Sequence, residues 1–314
     1  VIRVLITGAS GFAGHYLLGL LKCSPKTEVF AAYCTHRVPD WPARRQVRLD
    51  LTRRESAREA VRKIRPHEIY HLSAQSIPRL SWQMQAQTTA VNTAGTVHLL
   101  EAVREHAPRA RIMFASTNQV YGRTFRTKPC LKEDDLQWPE NPYAATKSMA
   151  ELACFNFAAV HDLDVVIARP FNHLGAGQSD KLVFSDWCRQ VAMAEAGRQP
   201  PVLGVGNLDA TRDFLHVEDV VRAYVLLMKK GKAGEAYNIC TGRGRLLKQY
   251  VHYLLSRARV PMKFKVEKSR LRKDDPRVMA ADPRKIRRLG WKPRKTALNA
   301  LDDMLEYWRG KVRA

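Results

Sequence analysis

Tyr143 and Lys147 are the pair of side chains best able to do chemistry together. They lie four residues apart in the stretch Asn141-Pro-Tyr-Ala-Ala-Thr-Lys147. On a helix that spacing puts the phenol and the ammonium on one face, a turn apart. Pro142 suits the first turn of such a helix, where its missing N–H costs nothing and its φ is already helical. A helix is expected over 141–161. A phenol ordinarily keeps its proton to about pH 10, and a nearby lysine cation favours the phenolate. Tyr143 is thus a candidate general acid/base, although an amphipathic helix that happens to carry both residues reads the same way. Upstream, Ser116 and Thr117 follow the apolar run Arg111–Ala115. Hydroxyls at the carboxyl end of a strand face the crevice where open α/β sheets bind ligands, but Ser and Thr are also ordinary turn and cap residues there.

The elements that must position these groups follow a strand–helix rhythm. Val1 to Thr7 is a short apolar run, Gly8-Ala-Ser-Gly11-Phe-Ala-Gly14 is a glycine loop, and His15 to Leu21 is an apolar helix. Strand, glycine loop and helix in that order form the phosphate-binding turn of a dinucleotide fold, with backbone N–H groups and the helix dipole aimed at a pyrophosphate. The spacing is Gly-x-x-Gly-x-x-Gly rather than Gly-x-Gly-x-x-Gly. Further strands are expected at 28–33, at a run ending with Asp50-Leu51, at 67–73, at 111–115, at 164–168 and at 236–239. Helices are expected at 53–65, 82–106, 182–196 and 217–229, and near 246–258, 282–289 and 296–309. Alternating βαβ units predict a parallel sheet. After the second strand, Cys34-Thr-His-Arg37 contains no acid to hold the ribose 2′-hydroxyl of NAD, whereas Arg37 suits the 2′-phosphate of NADP.

The bulk numbers exclude several classes. The 314 residues can bury a full core as one domain or two lobes, and 45% hydrophobic with 26% charged is an ordinary globular composition. No apolar run approaches the length of a membrane span, and the opening strand is too short for a signal sequence. Cysteines 23, 34, 130, 154, 188 and 240 include no Cys-x-x-Cys pair, so neither a metal site nor a disulfide framework is expected, and reduced thiols in a cytoplasm are. Net charge is +23, and residues 241–314 hold 22 Lys/Arg against 7 Asp/Glu. Such a basic segment suits nucleic acid, the pyrophosphate of a sugar nucleotide, or simply a solvated surface.

Taken together, Gly8-x-x-Gly11-x-x-Gly14, Asp50-Leu51, His71-Leu-Ser-Ala74, Asn92-x-x-Gly95-Thr96, Thr117, Tyr143-x-x-x-Lys147 and Arg169-Pro-x-Asn172 resemble the extended short-chain dehydrogenase/reductases over nearly the whole chain. The segments 169–179, 206–214 and Tyr237-Asn-Ile-Cys-Thr-Gly242 look most like GDP-4-keto-6-deoxy-D-mannose reductases, relatives of the GDP-mannose 4,6-dehydratases. The resemblance implies an α/β fold: a Rossmann-type doubly wound parallel sheet from 1–170 plus 210–242, with a smaller C-terminal α/β substrate-binding lobe from 171–209 plus 243–314. It implies that Gly8, Ser10, Gly11, Phe12, Ala13 and Gly14 cradle the cofactor pyrophosphate and that Asp50 and Leu51 contact adenine. Leu72, Ala74, Ser76 and Lys147 would border ribose and nicotinamide, and His173 would touch the cofactor. Tyr143 would protonate the C4 oxygen of a keto sugar beside Thr117, while Asn172, Lys181, Arg212 and Arg272 would hold the sugar nucleotide. It also implies a homodimer through helices 82–106 and 141–161.

The chain departs from the dehydratase pattern at Gln119, where those enzymes carry glutamate. Dehydration needs a carboxylate to remove a proton from C5, and an amide cannot serve. Related reductases often carry glutamate there as well. Lys273 stands where the family usually has proline. These readings point to an NAD(P)H-dependent reductase of a GDP-linked 4-keto-6-deoxyhexose giving a sugar such as GDP-D-rhamnose, with NADP(H) favoured over NAD(H) and no metal. The alternatives are another nucleotide-sugar epimerase or dehydratase, and a nucleic-acid-binding protein on the same scaffold. The last would have no need of Thr117, Tyr143 and Lys147.

Overall fold

The computed structural model describes every residue but 23–25, 40, 129, 272–275 and 314. Arg272 and Lys273 lie outside the described residues. In chain order the strands are β1 (Ile2–Thr7), β2 (Thr27–Tyr33), β3 (Gln46–Arg48), β4 (Glu68–His71), β5 (Arg111–Ala115), β6 (Val165–Pro170), β7 (Asn172–Leu174), β8 (Val202–Val205), β9 (Thr211–Arg212), β10 (Phe214–His216), β11 (Ala236–Ile239), β12 (Arg245–Leu246), β13 (Lys263–Val266) and β14 (Val278–Met279). The helices are α1 (Phe12–Lys22), α2 (Arg54–Ile64), α3 (Pro78–Gln83), α4 (Gln85–Thr89), α5 (Gly95–His106), α6 (Pro142–His161), α7 (Val183–Glu195), α8 (Val217–Lys230), α9 (Leu247–Ser256), α10 (Arg284–Arg288) and α11 (Ala297–Arg313).

Seven strands form one parallel sheet in the order β3-β2-β1-β4-β5-β6-β11. Its central strands are buried on both faces, which is why they read as unbroken apolar runs. Alternation still sorts the side chains. Val4, Ile6, Tyr70, Met113 and Val166 pack on one face with Leu17 and Leu18 of α1 and Val220, Tyr224 and Leu227 of α8. Leu5, Ile69, Ile112, Phe114 and Val165 pack on the other with Val61, Leu99, Val103 and Ala150 of α2, α5 and α6. Helices on both faces make the sheet doubly wound, and strand order reverses between β1 and β4, leaving a crevice at the carboxyl ends.

A third core cluster, away from this sheet, joins Phe184, Trp187 and Val191 of α7, Leu203 and Val205 of β8, Tyr250 and Leu254 of α9, and Leu301, Met304 and Leu305 of α11. Around it lie three small sheets: β8 with β13, β7 with β10, and β9 between β12 and β14. Among the described residues no helix is long and apolar enough to cross a membrane.

Apart from shifts at the ends of several elements, two expectations differ. Residues 82–106 are not one helix: α3 ends at Gln83, the next residue Met84 has φ −130°, and α4 is separated from α5 by a π-helical turn over Ala90–Ala94. The third strand ends at Arg48, and Asp50 instead closes a turn by accepting the N–H and hydroxyl of Thr52 at 3.0 and 2.7 Å.

Candidate active site

The first turn of α6 is fixed by its cap. Asn141 Oδ1 accepts the N–H of Ala144 at 2.9 Å, with Pro142 following it. Tyr143 comes next, its N–H held by Ser81 Oγ at 3.1 Å, and Ser81 in turn donates to Pro78 O. The break that ends α3 thus leaves Ser81 under the tyrosine. Lys147, one turn on, is 2% exposed, and its Nζ sits 4.1 Å from the ring centroid of Phe114 on β5. No carboxylate is within ion-pair distance of it among the described residues. A further turn along the helix, Glu151 is bound by Arg169 through Nε and Nη2 at 2.7–3.1 Å, and Arg169 also reaches the Tyr121 hydroxyl and Glu133 O. This buried pair, with Gln137 on Glu151, pins α6 to β6. Arg169, singled out in the sequence, is therefore part of the scaffold that presents Tyr143 and Lys147.

Thr117 lies just past β5 and caps the short helical segment after it, its Oγ1 accepting the N–H of Gln119 at 3.3 Å. It is close enough to the Tyr143 hydroxyl to pull the phenol's pKa down. Burial outweighs it and pushes Tyr143 up to about 12. The expectation that Lys147 brings the phenol towards working pH is thus corrected: desolvation dominates, and Lys147 is itself lowered to about 8 by burial, against the opposing pull of Cys154 and Glu151. A phenol in that range stays protonated at neutral pH and can give its proton to an oxygen that becomes an alkoxide.

The glycine loop closes tightly. Gly8 has φ +69°, and a Cβ there would stand 2.8 Å from Ser73 N, so only glycine fits the turn. Gly11 N–H donates to Gly8 O at 3.0 Å, and α1 begins at Phe12, three residues earlier than the apolar run suggests. Ser10, Gly11, Phe12, Ala13 and Gly14 therefore form the turn and the first residues of α1. The Phe12 ring stacks on His173 at 6.0 Å and 6°, and the Tyr16 hydroxyl donates to Ala176 O, so the loop after β6 closes over α1. His173 donates through Nδ1 to Phe171 O, and burial lowers its pKa, leaving it neutral.

Leu72 continues from β4, its N–H on Thr7 O, with Ala74 and Ser76 in the loop beyond. Below them His71 accepts from Thr7 Oγ1 at Nδ1 and donates from Nε2 to Thr96 Oγ1, whose own proton goes to Asn92 O. That chain fixes the tautomer, and burial lowers His71 to about 3. Asn92 also holds Gln75 and Thr146, and Gly95 lies against Leu51. Sequence reasoning did not assign roles to Ser81, Asn92 or Thr96; Asn92 and Thr96 were visible only as a pattern, and Ser81 had no signal. Arg37 is exposed beyond β2, its Nε 3.3 Å from the Tyr33 hydroxyl.

Of the expected substrate residues, Asn172 is half-buried on β7 beside His173, Lys181 is exposed before α7, and Arg212 is buried on β9 with Nη1 on Thr211 O at 2.8 Å. A cavity of about 510 Å³ lined by Lys132, Glu133, Asp134, Asp282, Arg284, Lys285 and Arg288 contains none of the residues expected to act on cofactor or substrate. Its walls carry charges of both signs and it lacks the catalytic groups. Of the expected site residues, Gly8 follows the carboxyl end of β1 and Thr117 that of β5.

The arrangement fits a dinucleotide by three features. The Gly8–Gly14 turn runs into the N-terminus of α1, whose first N–H groups suit a phosphate, Lys147 is a buried cation with no carboxylate against it, and Ser116 Oγ and Asn118 Nδ2 are buried without a protein partner, both absences holding among the described residues.

The chain is similar to known proteins over nearly its whole length. The chain is 31% identical over 312 residues to the GDP-6-deoxy-D-mannose reductase of Pseudomonas aeruginosa, covering 99% of this chain and 98% of that one. It is 29% identical over 287 residues to a GDP-6-deoxy-D-talose 4-dehydrogenase of Aggregatibacter actinomycetemcomitans, covering 91% and 90%. Its structure superimposes on RMD from Pseudomonas aeruginosa complexed with NADPH with a TM-score of 0.87 and 29% identity, over 99% of this chain and 100% of that one. For the Thermus thermophilus UDP-glucose 4-epimerase complex with NAD the TM-score is 0.85, with 25% identity, over 98% and 99%. A profile described as GDP-mannose 4,6 dehydratase matches residues 5–304, and the chain belongs to that family.

Proposed function

We propose that this protein reduces the C4 ketone of GDP-4-keto-6-deoxy-D-mannose to a GDP-6-deoxyhexose, GDP-D-rhamnose. The observation that carries the proposal is the meeting of a protonated Tyr143 with Thr117 in a corner where residue 119 is an amide rather than a carboxylate able to remove a proton. The full-length likeness to a GDP-6-deoxy-D-mannose reductase supports it.

A reduced nicotinamide, when bound, supplies the hydride. Gly8, Ser10, Gly11, Phe12, Ala13 and Gly14 hold its pyrophosphate with backbone N–H groups at the start of α1. Asp50 and Leu51 border the adenine, while Leu72, Ala74, Ser76 and His173 border ribose and nicotinamide, and Lys147 holds the ribose hydroxyls. Arg37, with no acid among residues 34–37, favours NADPH. Thr117 donates a hydrogen bond to the C4 oxygen and Tyr143 gives it a proton, so charge building there is met by two donors. Asn172, Lys181, Arg212 and Arg272 hold the nucleotide, the arginines matching a pyrophosphate in charge and fork geometry. The residues 171–209 and 243–314 form the sugar-nucleotide lobe, and 1–170 with 210–242 the cofactor domain.

The protein works as a homodimer in the cytoplasm. Exposed Met149, Leu152 and Val160 on α6, together with exposed Trp82 and Met84 at the junction of α3 and α4, leave apolar surface for a second copy. Its described cysteines are unpaired thiols, which suits a reducing compartment.

The test is consumption of reduced nicotinamide with GDP-4-keto-6-deoxy-D-mannose, run with NADPH and NADH. Stoichiometric consumption is expected, with kcat falling about 10²–10⁴-fold in Tyr143→Phe. No consumption with either cofactor would sink the reading. Conversion of a nucleotide sugar without net consumption would instead establish an epimerase or dehydratase, a chemistry named for one of the structural neighbours.

A further inference from the structure

The catalytic corner contains a side chain, Gln119, to which the reduction assigns no task. Gln119 follows Thr117 by two residues, is half-buried, and is bonded on one end of its amide only. Its orientation can be derived. Asn141 must present Oδ1 to the Ala144 N–H, because a helix cap accepts. That leaves Asn141 Nδ2 as a donor, and it meets Gln119 Oε1 at 3.0 Å. The glutamine oxygen is therefore the end turned to Asn141. Its Nε2, with two N–H groups, has no hydrogen-bond partner among the described residues. Thr117 and Tyr143, to which the reductase reading assigns the ketone oxygen, lie within interaction distance of one another. Carboxylates on the neighbouring segments are otherwise engaged: Glu133 by the Asn238 N–H at 2.8 Å, Glu140 by Arg126 at 2.7 Å and Glu151 by Arg169 at 2.7 Å.

We propose that Gln119 determines substrate specificity by donating its amide N–H groups to a hydroxyl on the carbon next to the reacting ketone, and that Asn141 is a positioning residue that fixes which end of the amide faces the sugar. The inference rests on the reductase reading and adds a second anchoring point on the hexose. A ketone gripped only at its oxygen can pivot about that point. A neutral donor on the adjacent hydroxyl sets the face presented for reduction, and an amide does this without offering a base to the acidic C–H beside the ketone.

Asn and Asp cap helices about equally well. Asn141→Asp therefore keeps α6 started but replaces the donor by an acceptor. Gln119 then turns end for end, bonding the introduced carboxylate with its N–H and showing its oxygen to the sugar. The experiment is a cycle of Gln119→Leu, Asn141→Asp and the double variant, with KM for the keto sugar and kcat measured separately and melting followed in parallel. Each single variant is expected to raise KM about tenfold, the size of one lost hydrogen bond to a desolvated partner. Asn141→Asp should melt like the parent. Added to Gln119→Leu it should change KM no further, because its effect runs through the amide. The isosteric Gln119→Glu, which keeps shape and loses the donors, should raise KM as Gln119→Leu does. Additive effects, or an unchanged KM in both Gln119→Leu and Gln119→Glu, would overturn the proposal. An unsubstituted protein that consumes no cofactor with the keto sugar defeats the reductase reading first and this inference with it.

Discussion

Lys147 carries its charge inside the protein with an aromatic face beside it and no carboxylate paired to it among the described residues, and that makes its proton unusually easy to lose. Burial lowers its pKa to about 8, while Cys154 and Glu151 act weakly the other way. The sign follows directly: the ammonium is intact below about pH 8, and the charge disappears as pH rises through that value. A group depressed from the usual value of about 10.4 cannot be mistaken for Tyr143, which burial raises to about 12. The pH profile of kcat/KM reports groups of the free enzyme. It should therefore fall on the alkaline side with a midpoint near 8, and Lys147→Arg, which keeps its charge throughout, should lose that limb at a lower plateau. A parent profile flat to about pH 10 would contradict the assignment. The same residue illustrates what sequence spacing can and cannot give. Four-residue spacing located the pair correctly on one helix, but the direction of the phenol's shift depends on how completely the surrounding fold excludes water, and no local pattern encodes that.

At the scale of elements, the glycine loop is the most sharply constrained. A Cβ on Gly14 would meet the carbonyl of Gly8 and, at 2.8 Å, the Cα of Ala9. Both are backbone, so no rotamer change relieves the clash. Gly14→Ala should lower affinity for the reduced cofactor at least about 100-fold, or destabilise the fold by about 2 kcal/mol or more through the strained turn. Titration of cofactor fluorescence together with a melting curve distinguishes the two, and normal binding with normal melting would refute the argument. Legibility at this scale followed burial. β5 and β11 match their sequence limits, because short apolar runs bounded by polar or glycine residues leave little choice. α6 was legible from Asn141 and Pro142. The stretch 82–106 was not, because its apolar residues keep a helical rhythm across both interruptions. The break at Met84 and the wide turn at Ala90–Ala94 come from tertiary demands. Ser81 must reach Tyr143, and Asn92 must reach Gln75 and Thr146. Asp50-Leu51 was misread as strand because Leu51 is buried, although it is buried by a turn packed on Gly95.

Over the whole molecule, two kinds of surface remain to be matched with partners. The exposed stripe Met149, Leu152 and Val160 recurs at helical spacing along α6, on the side away from the sheet. If two copies meet there, Leu152→Glu should shift the protein to monomers in sedimentation at micromolar concentration with little change in melting of the monomer. Unaltered mass would place the dimer contact elsewhere. The basic surplus of residues 241–314 is largely spread over exposed side chains, and several are matched locally: Arg309 by Glu195, Arg257 by Asp302 and Lys295 by Glu218. Finally, the order of the central sheet sets a timetable for manufacture. β6 is buried along its whole length, yet the strand that covers its outer edge, β11, is encoded only after the chain has passed through β7–β10, α7 and α8. During synthesis the nascent chain carries an open, apolar sheet edge until Ile239 has cleared the ribosome. Such edges invite pairing with other chains, and closure by a distant strand is slow. The ribosome and its chaperones, rather than the finished enzyme, therefore bear the risk that this topology creates.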